Sequence, residues 1–482
     1  MSRTGAPAPG SLRSFAPSSP DLRGIVRIAV PVVVVQLATM AMGAVDTIMV
    51  GRVSAADLAA VALGNLYFFG IAVFGMGVLY ALDPVIAQAV GAKDEVGVAR
   101  GVQRGAMLSL ALTVLATLLL VPAGPVLTAL DQPPDVVPVA AGYALASIPG
   151  VLPFYLFVVL RQSLQAIGKV GPIVTTVLAA NLANGFLNWV LIYGNLGAPA
   201  LGAVGSGWGT SVCRWLMTLW LLGLAWPLLR SSVRPFRPEV LAPAPLVRFL
   251  RIGAPIGAQQ FLEFGVFGAA GLLMGWMGTV AMAAHQVALN LAALAFMIPV
   301  GVAQAAAVLV GQAVGREDPP GARRAAGAGL VTGTAFMACT AVVFLSGPGL
   351  LARAYTDEAA VVAVAVTLIP IAGLFQVFDG IQVVSAGVLR GVGDTRVPML
   401  VNLVGFWVVG LPVSAYLGFR TSLGPSGIWW GLAAGIGAVA VLLLVRVRAR
   451  FGRELRRLIV DEEHHRPQGP DAHAGERVPG AT

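Results

Sequence analysis

The sequence predicts an all-α polytopic membrane protein with 12 transmembrane helices in two six-helix lobes, and three observations carry that reading. The chain of 482 residues is 57% hydrophobic and 11% charged, with a mean hydropathy of +0.84, whereas a soluble domain carries roughly 25% charged residues. Its apolar residues form long unbroken runs, not the alternating pattern of a membrane β-barrel, and at about 20 residues per crossing they suffice for about twelve helices. The pattern also recurs. At an offset of 224 residues Arg27, Ile28, Pro31 and Gln36 fall on Arg251, Ile252, Pro255 and Gln260, and Gln88-Ala89-Val90-Gly91 falls on Gln312-Ala313-Val314-Gly315.

In chain order, spans are expected at residues 25–50, 58–86, 98–122, 136–159, 171–193 and 205–229, then at 248–275, 280–310, 325–347, 359–388, 398–419 and 426–447. The first lobe covers 23–229 and the second 247–448, joined by a basic, Pro-rich cytoplasmic linker at 230–246. The Pro/Ser-rich residues 1–22 are expected to be disordered, and they lack the apolar core and small-residue cleavage site of a signal peptide. Residues 449–482 are expected to form a basic cytoplasmic tail that opens with a short helix and then becomes disordered.

Lysine and arginine set the orientation. If the N-terminus is inside, 27 of the 31 basic residues fall in inner segments, and three (Arg52, Arg353 and Arg420) fall in outer loops. Such a bias places both termini in the cytoplasm of a multi-pass protein of the cell's inner (plasma) membrane. The net charge of +9 is thus a topology signal, and no nucleic-acid partner is expected. Cys213 and Cys339 lie in separate apolar runs, which predicts neither a disulfide nor a metal cluster. The sequence has no phosphate loop and no nucleophile–base set, so neither enzyme activity nor a cofactor is expected.

The repeat continues with small gaps: Gly168 aligns with Gly393, Pro172 with Pro398, and Gly205-x-x-Trp208-Gly209 with Gly427-x-x-Trp430-Gly431. An even number of spans per half gives both halves one orientation, so their pseudo-twofold axis runs along the membrane normal. Transporters built from repeats bind cargo near the midplane, at the repeat interface. Gln36 and Gln260 hold equivalent polar positions on the first span of each half and are candidate substrate-binding residues. Pro31 and Pro255 are expected to start their helices; Pro84, Pro299 and Pro370 lie deeper, where a proline can bend its helix, against the favoured reading that proline is simply common in membrane helices.

An ionisable residue at bilayer depth marks a functional site by default. Asp46, Glu263 and Asp379 lie within spans, and Asp83 lies toward the inner end of one. Glu263 and Asp379 occupy the first and fourth spans of the second lobe. Two such carboxylates can share a proton or a hard cation such as Na⁺. Asp46 is nearer an outer end, where a solvated mouth position is the competing reading. Asn181, Asn184 and Asn188 stripe one face of the fifth span. Asn184 and Asn188, one turn apart, form a first-lobe polar site with Asp46 or else bond between helices. Arg214, deep in a span, snorkels or bonds backbone carbonyls. His285 is read as structural, and Tyr67, Phe68, Phe69, Tyr80, Phe154, Tyr155 and Phe157 as possible cavity lining or interfacial belts.

At these residues the chain resembles the multidrug and toxic compound extrusion (MATE) family, most of all its NorM-type branch. The stretches that carry the resemblance are PVVVVQLATMAMGAVDTIMVGRVSAADLAAVALG, NWVLIYGNLGAPALGAVGSGWGTS, LEFGVFGAAGLL with AAHQVALN, and LFQVFDGIQVVSAGVLRGVGDTRVP. The resemblance spans roughly residues 22 to 450. It implies two lobes around a V-shaped cleft and secondary active antiport that exports organic cations in exchange for Na⁺ or H⁺ by alternating access. It also implies a second-lobe cation-coupling site at Glu263 and Asp379, which would be the Na⁺ ligands if Na⁺ is the coupling ion, and a first-lobe polar site at Asp46, Asn184 and Asn188. Glu263 and Asp379 would bind substrate as well, with Gln36 and Gln260. Some members carry a Tyr four residues before the tenth-span acid; here it is Phe375, which keeps a ring for cation–π contact and loses the hydroxyl. The expected partners are small organic cations and the lipid bilayer, and a monomer is expected. The alternative is a flippase for lipid-linked precursors or polysaccharides in the wider superfamily, which would carry a basic central cavity.

Overall fold

The computed structural model of the chain describes residues 12–460. Among them are 12 helices long and apolar enough to cross a membrane. The first lobe holds α1 (Ser19–Gly51), α2 (Ala55–Gly91), α3 (Glu95–Leu120), α4 (Val137–Ala166), α5 (Gly171–Leu191) and α6 (Gly202–Val233). The second holds α7 (Pro243–Trp276), α8 (Thr279–Gly315), α9 (Pro319–Ser346), α10 (Ala359–Gly391), α11 (Arg396–Arg420) and α12 (Pro425–Phe451). Each expected span has its helix. Several overrun the predicted ends because their last turns are polar, and apolar content alone does not register those turns.

The start of α1 and the end of α12 lie at one face, where the ring of Phe15 packs 5.7 Å from that of Phe451. This face also carries Lys93, Arg316 and Arg396 and is called the basic face below. The repeat aspartates Asp94 and Asp318 lie here as N-caps of α3 and α9, accepting the Gly97 N–H at 2.8 Å and the Gly321 N–H at 2.9 Å. A carboxylate in that position satisfies an orphan donor of the first helical turn. Burial pushes the Asp94 pKa up, but the bonds from Gly97 and Arg457 outweigh it and hold the carboxyl below its ordinary value.

The lobes join through small residues. α1 packs against α8, and α2 against α7, the same pairing generated twice by the repeat. A side chain would separate the backbones: a Cβ on Gly77 would lie 2.6 Å from the Cα of Gly257, and one on Gly257 2.6 Å from the Phe74 carbonyl oxygen. Close backbone approach through small residues is how membrane helices gain packing energy when lipid offers no hydrophobic drive.

Three expectations change. Residues 12–22 are not a disordered tail: Leu12–Phe15 is a short 3-10 helix and α1 begins at Ser19, while residues 1–11 lie outside the described residues. Pro31 and Pro255 consequently sit inside α1 and α7, not at their starts. The linker is anchored, since Gln103 donates from Nε2 to the carbonyls of Ser232 and Pro235 and accepts the Arg237 N–H at 2.9 Å. Among the described residues beyond Phe451 there is no short helix. Residues 453–459 have no regular secondary structure, because they bond to other parts of the basic face, and residues from 461 onward lie outside the described residues. Pro84 does coincide with an interruption, between Ala55–Leu79 and Leu82–Gly91, whereas Pro299 and Pro370 lie within unbroken helices.

Gly77→Leu forces α2 away from α7. We expect a loss of about 1–3 kcal/mol, read as a lower thermal midpoint of the purified protein in detergent, with Gly77→Ala intermediate. An unchanged midpoint for Gly77→Leu would contradict the close approach.

Candidate cation and substrate site

A cavity of about 370 Å³ lies between the lobes, lined by Gln36 and Tyr80 from the first and by Gln260, Glu263, Phe375 and Asp379 from the second. Phe69, Phe264, Phe267 and Phe296 supply much of its wall, and Arg390 and Asp394 lie toward the basic face. The sequence-predicted coupling and substrate residues therefore meet in one chamber. Asp379 is 5% exposed and Glu263 is half-buried. Each carboxyl group is within electrostatic reach of the other. Among the described residues neither forms an ion pair. Gln382, wholly buried, stands beside the Glu263 carboxyl. Phe375 is 2% exposed, its ring edge-on to Phe267 at 6.2 Å and to Trp429 at 5.8 Å.

The backbone carrying Glu263 is held from α11. Residues Leu403–Gly410 widen into a π-helix, a local form often found at functional sites. Within it, Trp407 Nε1 donates to the Leu262 carbonyl at 3.1 Å. The apolar run gave no sign of this turn. The signal that bears on it is the glycine pair Gly405 and Gly410, whose missing side chains let α11 lie against Gly435 of α12.

The first-lobe polar site also assembles, away from this chamber. Asn188 Nδ2 donates to Asp46 Oδ1 at 2.5 Å and to Asn184 Oδ1 at 3.3 Å, and the Thr210 hydroxyl lies 3.5 Å from Asp46 Oδ2. Asp46 is 9% exposed and both asparagines are fully buried, which removes the solvated-mouth reading. Asn181 is not part of the site; it donates to the Val177 carbonyl one turn back. Arg214 does not snorkel either. Its guanidinium stacks on Phe68 at 4.2 Å and on Phe154 at 5.3 Å, inside the lobe that holds Asp46. His285 is fully buried against the Trp429 ring at 5.6 Å, which fits a structural role. Of the seven aromatics considered for the cavity, Phe69 and Tyr80 line it. Tyr67 and Tyr155 instead bond the Leu119 and Ala72 carbonyls.

A buried network at the edge of the chamber, missed in the sequence, ties the lobes together. Asp83 is 1% exposed and accepts from Gln162 Nε2 at 2.5 Å, and its other oxygen lies 3.5 Å from Arg390 Nη1 across the lobe boundary. Arg161 donates to the Tyr80 hydroxyl at 3.2 Å and to Gln36 Oε1 at 3.3 Å. Arg161 and Arg390 both lie over the Tyr80 ring, 5.9 Å and 5.4 Å from its centre. Arg161 and Arg390 read as inner-loop charges in a linear count, and only the fold brings them to Asp83.

A chamber at membrane depth, enclosed by two like-oriented lobes that meet through small residues, is the construction of a transporter that moves solutes past a central site. Residues 31–190 and 255–416 match the MatE family, and the chain belongs to that family of transporters. It is 37% identical over 438 residues to the "Probable multidrug resistance protein NorM" of Mesorhizobium japonicum, covering 88% of this chain and 93% of that protein. It is 36% identical over 435 residues to the "Multidrug resistance protein MdtK" of Edwardsiella ictaluri, covering 89% and 95%. Among solved structures, a eukaryotic MATE transporter superposes with a TM-score of 0.80 at 22% identity, covering 91% of this chain and 98% of that one.

Removing one member of a buried ion pair leaves an uncompensated charge and costs about 3–5 kcal/mol, whereas replacing both is far milder. Asp83→Asn should therefore lower the thermal midpoint sharply, and adding Arg390→Met should recover much of the loss. Equal midpoints for the single and double variants would dissolve the pairing.

Proposed function

We propose that the chain is a multidrug efflux antiporter that exports lipophilic organic cations in exchange for Na⁺ or H⁺. The observation that carries this reading is the pair Glu263 and Asp379, which line one largely apolar cavity, with aromatic rings in its wall, without an ion-pair partner among the described residues. Close carboxylates in low dielectric do not both stay ionised without a counter-charge. An organic cation, a proton or Na⁺ supplies it, and only one kind of occupant is needed at a time. The aromatic wall accommodates flat apolar cations through ring faces, while Gln36 and Gln260 offer amides for polar substituents. The names of the NorM and MdtK relatives support multidrug resistance as the physiological task.

The basic face is the cytoplasmic one in this reading, as the distribution of lysine and arginine suggests. Substrate enters when the lobes part at that face. The lobes then rock about the α1–α8 and α2–α7 contacts, the coupling ion arrives from outside, and its binding at Glu263 and Asp379 displaces the drug. Exchange follows from competition for one negative charge; a site that held both cargoes together would produce symport. A flippase for anionic lipid-linked precursors fits less well, because the cavity acids would repel the headgroup and Arg390 already faces Asp83.

Ethidium efflux from proteoliposomes, driven by an imposed Na⁺ gradient or pH gradient, tests the proposal. Glu263→Gln and Asp379→Asn should each reduce ion-driven efflux to the level of protein-free liposomes under both gradients. Full efflux by Glu263→Gln would refute the site.

A further inference from the structure

The two QAVG segments, residues 88–91 at the end of α2 and 312–315 at the end of α8, meet at the basic face. Gln88 Nε2 donates to the carbonyl of Gly391 at 2.9 Å, and Gln312 Nε2 donates to the carbonyl of Ala166 at 2.8 Å. Both bonds cross between the lobes. Gly391 is the last residue of α10 and Ala166 the last of α4, and each occupies the same place in the repeat as the other, on the register that aligns Gly168 with Gly393. The two hydrogen bonds are therefore one bond made twice by the pseudo-twofold axis. Each amide serves a final-turn carbonyl, which has no intrahelical donor of its own. Gly91 and Gly315 make the approach possible, since a Cβ on either would collide with the backbone carbonyl of Gln312 or Gln88.

The symmetry fails at one atom. Gln88 Oε1 accepts the N–H of Leu458 at 2.7 Å, from the segment that leaves α12. That segment starts in the second lobe and reaches the first, where Arg457 pairs with Asp94 at 2.5 Å. The Leu458 side chain lies against Gly393, and the Val460 carbonyl accepts from Arg248 at 3.0 Å. Gln312 has no such second bond among the described residues.

We propose that residues 452–460 form a strap that locks the Gln88 half of a two-part latch and biases the transporter against opening at its basic face. The proposal rests on the alternating-access reading above. With the strap in place Gln88 bridges three parts of the molecule, and lobe separation must break its bond to Gly391 while the strap holds both its amide oxygen and Asp94. The latch is symmetric in the repeat and asymmetric in strength.

The test is the inter-lobe distance at the basic face in the full-length chain in nanodiscs, measured by pulsed electron paramagnetic resonance. Spin labels are placed at Lys169→Cys and Arg396→Cys, both exposed positions, with Cys213→Ala and Cys339→Ala removing the native thiols. Each hydrogen bond lost should raise the open-to-closed ratio about fivefold. Gln312→Leu loses one bond and Gln88→Leu loses two, so Gln88→Leu should shift the ratio about fivefold further. Leu458→Pro removes the strap N–H, since proline carries none; in that background the two glutamine variants should become equal. Arg457→Ala, which leaves Gln88 and Gln312 intact, should also raise the open fraction and stands in if Leu458→Pro does not fold. Equal effects of Gln88→Leu and Gln312→Leu in the otherwise unaltered chain, or no shift with Arg457→Ala, would overturn the strap. A single closed distance in every variant, even with tetraphenylphosphonium added or the pH changed, would overturn the alternating-access reading and the strap with it.

Discussion

The cost of placing charge at membrane depth organises this molecule. An ionised side chain there must find a counter-charge, a set of hydrogen bonds, or a cargo. Asp83 takes the first solution, set between Gln162 and Arg390. Asp46 takes the second, held by Asn188 with Thr210 close by, in a lobe that also contains Arg214. Among the described residues neither Glu263 nor Asp379 forms an ion pair, and both face a cavity. In the proposed mechanism the third solution is theirs: what neutralises them comes and goes.

The duplication explains why scaffold and site separate. Positions that build the frame recur in both halves: Asp94 and Asp318 as caps, Gln88 and Gln312 as cross-lobe donors, and Gly77 and Gly301 as close-contact glycines between the lobes. Positions that carry charge at depth do not recur. The first-lobe counterpart of Glu263 is Thr39, which donates to the Val35 carbonyl one turn back. The counterpart of Asp379 is Phe154, which lies under the Arg214 guanidinium, and that of Asp46 is Ala270. A symmetric frame that must rock can keep its contacts duplicated while its chemistry diverges, because packing constrains both halves alike and a binding site is needed only where cargo sits.

Most of the frame was legible in the sequence because bilayer thickness imposes long apolar runs and the repeat calibrates them. The second-lobe pair was legible because an acid beside Phe261 and Phe264 has no soluble explanation. What escaped the sequence depends on depth and partnership, which a linear reading does not give. Arg161 and Arg390 count as loop charges until α4 and α10 bring them to Asp83. For Asp46, near one end of α1, a solvated mouth is the competing reading of the sequence, yet α5 and α6 cover it. The π-turn of α11 and the anchored segment after Phe451 arise from contacts between elements distant in sequence, and local composition carries no record of them.

The central claim is that drug and coupling ion compete at Glu263 and Asp379, with the first-lobe acid outside that competition. Equilibrium binding of tetraphenylphosphonium to the detergent-solubilised protein, measured as pH and Na⁺ concentration are varied, tests it most directly. Raising the concentration of the coupling ion should weaken binding competitively in the unaltered protein and in Asp46→Asn, and the dependence should vanish in Glu263→Gln. Competition that persists in Glu263→Gln, or that disappears in Asp46→Asn, would contradict the account.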